Sequence, residues 1–141
     1  MRTAVDSSVL LDVLLDDSRF AETAQELLRA SAAAGPLMAC ECVLAEVRPA
    51  LGEGDLEAML GDFGIEFVPS TRHSALLAGE MMQTYLRRTS VRRTRVVADF
   101  LIGAHAQVYA DRLIARDRGF FRDYFAGLTV VEPKGAARPG R

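Results

Sequence analysis

The segment Arg2-Thr3-Ala4-Val5-Asp6-Ser7-Ser8-Val9-Leu10-Leu11 constrains the fold more than any other stretch of the chain. A short β-prone run, Thr3 to Val5, stops at an acid. Two serines follow, then an apolar run able to wind as a helix. Strand, turn and helix N-terminus therefore meet at Asp6. In open α/β sheets ligands bind at the carboxyl ends of the strands, so a carboxylate there is positioned for chemistry. The same grammar recurs at Arg112-Leu113-Ile114-Ala115-Arg116-Asp117, where a second short apolar run stops at an acid. In one parallel sheet, Asp6 and Asp117 share an edge.

The intervening sequence supplies such a sheet. Asp16-Asp17-Ser18 breaks the first helix, and Ser18 is a suitable N-cap for the next, Arg19 to about Ala33. Gly35-Pro36 ends that helix. Pro36 to Cys40 is uniformly apolar, as a buried parallel strand should be. A helix follows from Glu41 to about Leu51, with Glu46 inside its Val43, Val47, Ala50 stripe and Pro49 expected to kink or end it. A short amphipathic helix, Asp55 to Gly61, leads to a strand at Ile65 to Val68. Ser70 is expected to cap the longest helix, about Thr71 to Arg88, with a stripe of Leu77, Ala78, Met81, Met82 and Tyr85. The next helix, Asp99 to Tyr109, opens at Val97 or Ala98. Small residues at Gly103, Ala106 and Ala110 share a face with Asp99 and allow close packing there. Leu128 to Val131 reads as a last strand. Alternating strands and helices imply a parallel sheet covered on both faces. The expected fold is α/β, a three-layer α/β/α domain with a central parallel sheet of four to five strands. It should occupy residues 1–132, and 133–141, rich in Gly, Pro, Ala and charge, reads as a disordered tail.

At 141 residues the chain suits one domain with a core of its own. No run approaches the ~20 apolar residues that span a bilayer. Asp6 and Asp12 interrupt what would be the apolar region of a signal peptide. The expectation is a cytoplasmic protein that makes no use of a membrane. Cys40 and Cys42, one residue apart, have no second Cys/His pair to complete a zinc site and read as small core residues. The net charge of −2 does not announce a nucleic-acid binder. Five of the sixteen arginines nonetheless fall at Arg87, Arg88, Arg92, Arg93 and Arg95. Such a cluster suits phosphates, and equally a solvated loop.

The acids carry the chemistry. Asp6 and Asp117 end strands, Glu46 sits in a helix after the second strand, and Asp99 begins the helix before the fourth. Right-handed crossovers allow all four to meet above the strand ends. Taken singly, Asp6 and Asp117 serve as well for turn residues, and Asp99 for a helix cap. Glu46 is costly to bury in an apolar stripe without a partner. Taken together they repel, by ~4 kcal/mol for a pair at 4 Å and an effective dielectric of 20. A hard divalent cation relieves this, and Mg²⁺ or Mn²⁺ prefer oxygen ligands. Such a site suits phosphodiester hydrolysis. No Ser-His-Asp set, P-loop or Gly-rich dinucleotide motif is present, and His73 and His105 stand isolated.

At these residues the chain resembles the PIN-domain ribonucleases, specifically the VapC-type toxins of type II toxin–antitoxin systems. The likeness rests on Val5-Asp6-Ser7-Ser8-Val9-Leu10-Leu11, Val43-Leu44-Ala45-Glu46-Val47, Ala98 to Ala106 and Leu113 to Phe121, four segments in order up to about Val131. The resemblance implies a metal-dependent endoribonuclease that cleaves RNA, a homodimer, and inhibition by a cognate antitoxin. Carried over by position, Asp6, Glu46, Asp99 and Asp117 are the catalytic acids and metal ligands, with Asp6 and Asp99 the most direct. Ser7 or Ser8 would support the first carboxylate or meet substrate, and Arg92, Arg93 or Arg95 would bind RNA or antitoxin. Many members have Asn where Ser8 stands and Thr or Ser where Ala115 stands. The loss at Ala115 removes a hydroxyl partner for Asp117 and weakens the case for a second metal.

Other readings fit less well. A PIN fold without activity could serve as an RNA-binding or scaffold protein. A phosphoacceptor receiver module would need a lysine late in the domain, and the only lysine is Lys134. A haloacid-dehalogenase-like phosphotransferase would need an acid where Ser8 stands.

Overall fold

A computed structural model describes residues 1–89, 96–117 and 119–136. The chain forms five strands, each of three residues: β1 (Thr3–Val5), β2 (Leu37–Ala39), β3 (Ile65–Phe67), β4 (Arg112–Ile114) and β5 (Thr129–Val131). Seven helices accompany them among the described residues: α1 (Ser7–Leu14), α2 (Ala21–Ala34), α3 (Glu41–Val47), α4 (Glu53–Phe63), α5 (Arg72–Arg88), α6 (Val96–Tyr109) and α7 (Phe120–Tyr124). The sheet is parallel throughout, with order β3-β2-β1-β4-β5. This is the three-layer α/β/α architecture expected from the alternation of elements, with the upper number of strands.

The order places the site. From β1 the chain builds outward through β2 to β3, then returns to lay β4 on the other side of β1. The gap between the carboxyl ends of β1 and β4 is thus the switch point at which doubly wound sheets bind ligands. The two strands are in register, Val5 beside Ile114, and the Asp6 N–H donates to the Ile114 carbonyl at 2.9 Å. Asp6 and Asp117 follow these two neighbouring strands.

The apolar residues of the central strands are buried, as parallel strands covered on both faces require: Ala4, Val5, Leu37, Leu113 and Ile114 are each at most 2 % exposed. On one flank Phe100 of α6 meets Tyr85, Phe120 and Tyr124 edge-on at centroid separations of 5.6, 4.9 and 5.2 Å. These contacts tie α5, α6 and α7 together. Gly103 makes room there, since a Cβ would overlap the Phe125 ring unless that ring shifted. The small-residue face of α6 thus receives an aromatic ring. Met81 and Met82 are partly buried against the core, and Cys40 is buried, which pushes its thiol up to about 12.

Several boundaries differ from expectation for identifiable reasons. Asp17, not Ser18, satisfies the backbone before α2, accepting from the N–H groups of Arg19 and Phe20 at 2.9 and 3.0 Å. Thr71, not Ser70, caps α5, in a reciprocal capping box with Ser74. Pro49 ends α3 as predicted, and the chain passes into one 3₁₀ turn, Arg48–Ala50. α6 begins at Val96, so Asp99 is its fourth residue and not its cap. Residues 133–136, expected in the disordered tail, lie along α2: Thr23 Oγ1 donates to Lys134 O at 2.6 Å, and Ala136 N to Arg19 O at 2.7 Å. Residues 137–141 of that tail lie outside the described residues, as do Arg92, Arg93 and Arg95 of the arginine cluster.

Candidate active site

A cavity of about 740 Å³ opens at the switch point, and Asp6, Glu46, Asp99 and Asp117 all line it. The structure therefore gathers the four acids that sequence order singled out. Ser7 and Ser8 line it too.

Asp6 is held by the turn it begins. As N-cap of α1 it accepts from Ser8 N at 3.2 Å and from Ser8 Oγ at 2.5 Å, both on Oδ2. Its residue is 6 % exposed. Burial pushes its carboxyl above the usual range, the Ser8 bonds pull it back, and the nearby Glu46 charge raises it further. Glu46 is half-buried, and its Oε1 accepts from Ser7 Oγ at 2.9 Å. The two serines thus hold the two acids, Ser8 the first and Ser7 the second. Ser8 Oγ also accepts from Arg116 N at 3.2 Å, which links α1 to the end of β4.

Asp117 is positioned differently. Its Oδ1 accepts from Phe121 N at 3.1 Å, and its Oδ2 from Arg122 N at 3.2 Å. Arg122 Nη1 lies 3.5 Å from the same Oδ2 and 3.0 Å from Glu132 Oε2. The carboxylate anchors the start of α7, with its side chain 1 % exposed. No hydroxyl from Ala115 is needed for this. Asp99, on the first turn of α6, completes the acidic lining.

Every donor in this group is a carboxylate oxygen, which suits a hard divalent cation. Among the described residues, no three His, Cys, Asp or Glu side chains already stand as a cage for one. Mg²⁺ does not demand such a cage, because it keeps several waters and binds through one or two carboxylates. The buried Asp6, repelled by Glu46, is the carboxylate that a cation would relieve most. The histidines take no part. His73 is exposed. His105 is buried, and burial holds its imidazole below the usual range.

Sequence reasoning missed a second set of residues in the cavity wall. Asp12 is 4 % exposed, and both its oxygens meet the Arg116 guanidinium, Oδ1 to Nη2 and Oδ2 to Nε, each at 2.8 Å. Arg116 also lies over Phe20, 4.3 Å from the ring centroid. The available signal was spacing: Asp12 stands four residues after Ser8, so a helix places both on one face.

A family model described as PIN domain matches residues 3–125. The chain belongs to the PIN domain family. Solved structures share its fold at low identity. A chain of VapBC2 from Rickettsia felis, solved bound to a promoter DNA fragment, aligns with a TM-score of 0.69 at 15% identity, covering 94% of this chain and 98% of that one. VapBC-1 from nontypeable Haemophilus influenzae gives 0.66 at 12%, with coverages of 94% and 98%. FitAcB from Neisseria gonorrhoeae gives 0.61 at 16%, with 93% and 97%. No curated protein sequence matches the chain. No helix among the described residues is long and apolar enough to cross a membrane.

Proposed function

We propose that this PIN domain is a metal-dependent endoribonuclease, the toxin of a toxin–antitoxin pair. The observation that carries the reading is the gathering of Asp6, Glu46, Asp99 and Asp117 in one cavity at the switch point of the sheet. Asp6 and Asp99 are the residues assigned to hold Mg²⁺ or Mn²⁺. When bound, such an ion lowers the pKa of a water and offsets charge developing on the phosphate. The chain's own residues do the rest. Ser8 fixes the Asp6 carboxylate, and Ser7 fixes Glu46, which is assigned to take the proton of the attacking water. Asp117 keeps α7 and its aromatic residues at the mouth. The antitoxin partner is proposed because similar folds were solved as VapBC and FitAB structures. RNA as substrate, a homodimer and a cytoplasmic location belong to the same proposal.

The test is cleavage of single-stranded RNA with Mg²⁺ or Mn²⁺. Asp6→Asn and Asp99→Asn should abolish it, and EDTA should do the same. Full activity in both variants, or in EDTA, overturns the reading. A second reading, a PIN fold that binds RNA without cutting, draws on Asp117, whose two oxygens are already engaged by α7. It predicts RNA binding with no cleavage by the unaltered protein under any divalent ion.

A further inference from the structure

The acidic cavity has a problem that a cation alone does not solve. Among the described residues its lining holds seven carboxylates and two guanidiniums, Arg19 and Arg116. A polyanionic strand entering this space needs a cationic donor that these acids do not wholly consume. Arg19 lies 5.2 Å from the Phe20 centroid, and its Nε donates to Ala136 O at 3.4 Å. Arg116 is far better fixed. Asp12 accepts from Nη2 and lies in ion-pair contact with Nε, Phe20 lies against the guanidinium, and the backbone N–H donates to Ser8 Oγ, which itself donates to Asp6. Nη1 has no partner among the described residues, and the side chain is 39% exposed. A guanidinium held in one plane loses little entropy when it takes a phosphate oxygen, and such charge-assisted bonds are the strong ones.

We propose that Arg116, clamped between Asp12 and Phe20, is a phosphate-positioning residue that donates from Nη1 to the backbone of single-stranded RNA beside the catalytic acids. The inference rests on the nuclease reading above and extends it to how the strand is placed. Asp12 is then an orienting residue. It accepts from Nη2 and pairs with the charge at Nε, which leaves the Nη1 donors for phosphate.

Binding of a fluorescent single-stranded RNA, measured in the cleavage-deficient Asp6→Asn protein across a salt series, tests the proposal. Adding Arg116→Gln should weaken binding about tenfold, as loss of one charge-assisted hydrogen bond implies. The slope of log affinity against log salt should fall by about 0.7, one phosphate contact to a single strand. Arg116→Lys should restore the slope but not the full affinity, because a lysine cannot hold the fork. A merely structural Arg116 predicts lower thermal stability with an unchanged salt slope, and that result overturns the proposal. If Arg116→Gln does not fold, Asp12→Asn/Arg116→Gln leaves no uncompensated carboxylate and is read the same way. Cleavage by the unaltered protein together with an unchanged slope refutes this inference alone. Absence of both cleavage and RNA binding refutes it with the nuclease reading.

Discussion

Asp6 and Asp117 follow adjacent strands in register, yet their surroundings give them different work. Asp6 is buried against Glu46, and Ser8 supplies its hydrogen bonds through one oxygen. Asp117 spends both oxygens on the backbone of α7 and on Arg122. The first is a carboxylate kept under electrostatic stress at a cavity. The second is satisfied and structural in its contacts. Placement at the same edge of the sheet therefore does not fix function, because the next helix decides how much of the carboxylate remains for a ligand.

The contrast predicts effects of different size and sign. The largest is on catalysis: Asp6→Asn should lower RNA cleavage by about a thousandfold or more, since metal charge stabilisation is worth several kcal/mol. Asp117→Asn should cost roughly ten- to a hundredfold, as expected of a residue that orients others. Equal losses in the two variants would break the comparison.

Stability should separate them by sign. Asp117→Asn removes a charged acceptor from two N–H groups and Arg122, and should destabilise by about 1–3 kcal/mol. Asp6 behaves in the opposite way. Folding raises its pKa, so the native state holds its proton more tightly than the unfolded chain. Its favourable contribution is complete below the ordinary aspartate pKa of about 4 and is lost as pH rises through the folded value. At neutral pH without metal, Asp6→Asn should therefore raise Tm by a few degrees, the usual gain from relieving a functional site. Added Mg²⁺ should raise the Tm of the unaltered protein and not that of Asp6→Asn. Calorimetry at pH 4 and pH 7 checks both signs.

A last effect, on stability alone, sharpens the comparison from outside the acids. Gly103→Ala improves helix propensity, yet its Cβ would strike Phe125. A loss of about 1–3 kcal/mol by denaturant unfolding is expected, with RNA affinity per folded molecule unchanged. A stabilised variant would show that the aromatic cluster yields easily.

Much of this was legible in the chain. Short apolar runs ending in acids, alternating with helical spacing, specify parallel strands with carboxylates on one edge, because period and burial are properties of sequence. Asp6 and Asp117 were found in this way, Glu46 and Asp99 from their places in the flanking helices, and all four line one cavity. Helix starts were less legible. Asp17 and Thr71 displaced Ser18 and Ser70 as backbone partners because neighbouring small polar residues compete for the same N–H groups, and only the entry path of the chain chooses between them.

The sequence by itself determined the alternation of elements, the strand-end acids and the small face of α6. Tertiary structure alone decided that Asp117 serves α7, that Ser7 and Ser8 hold different acids, and that Arg116 lies between Asp12 and Phe20. The physical reason is separation along the chain. Arg116 and Asp12 are 104 residues apart, and no local pattern records a pairing that exists only once β4 has been laid beside β1.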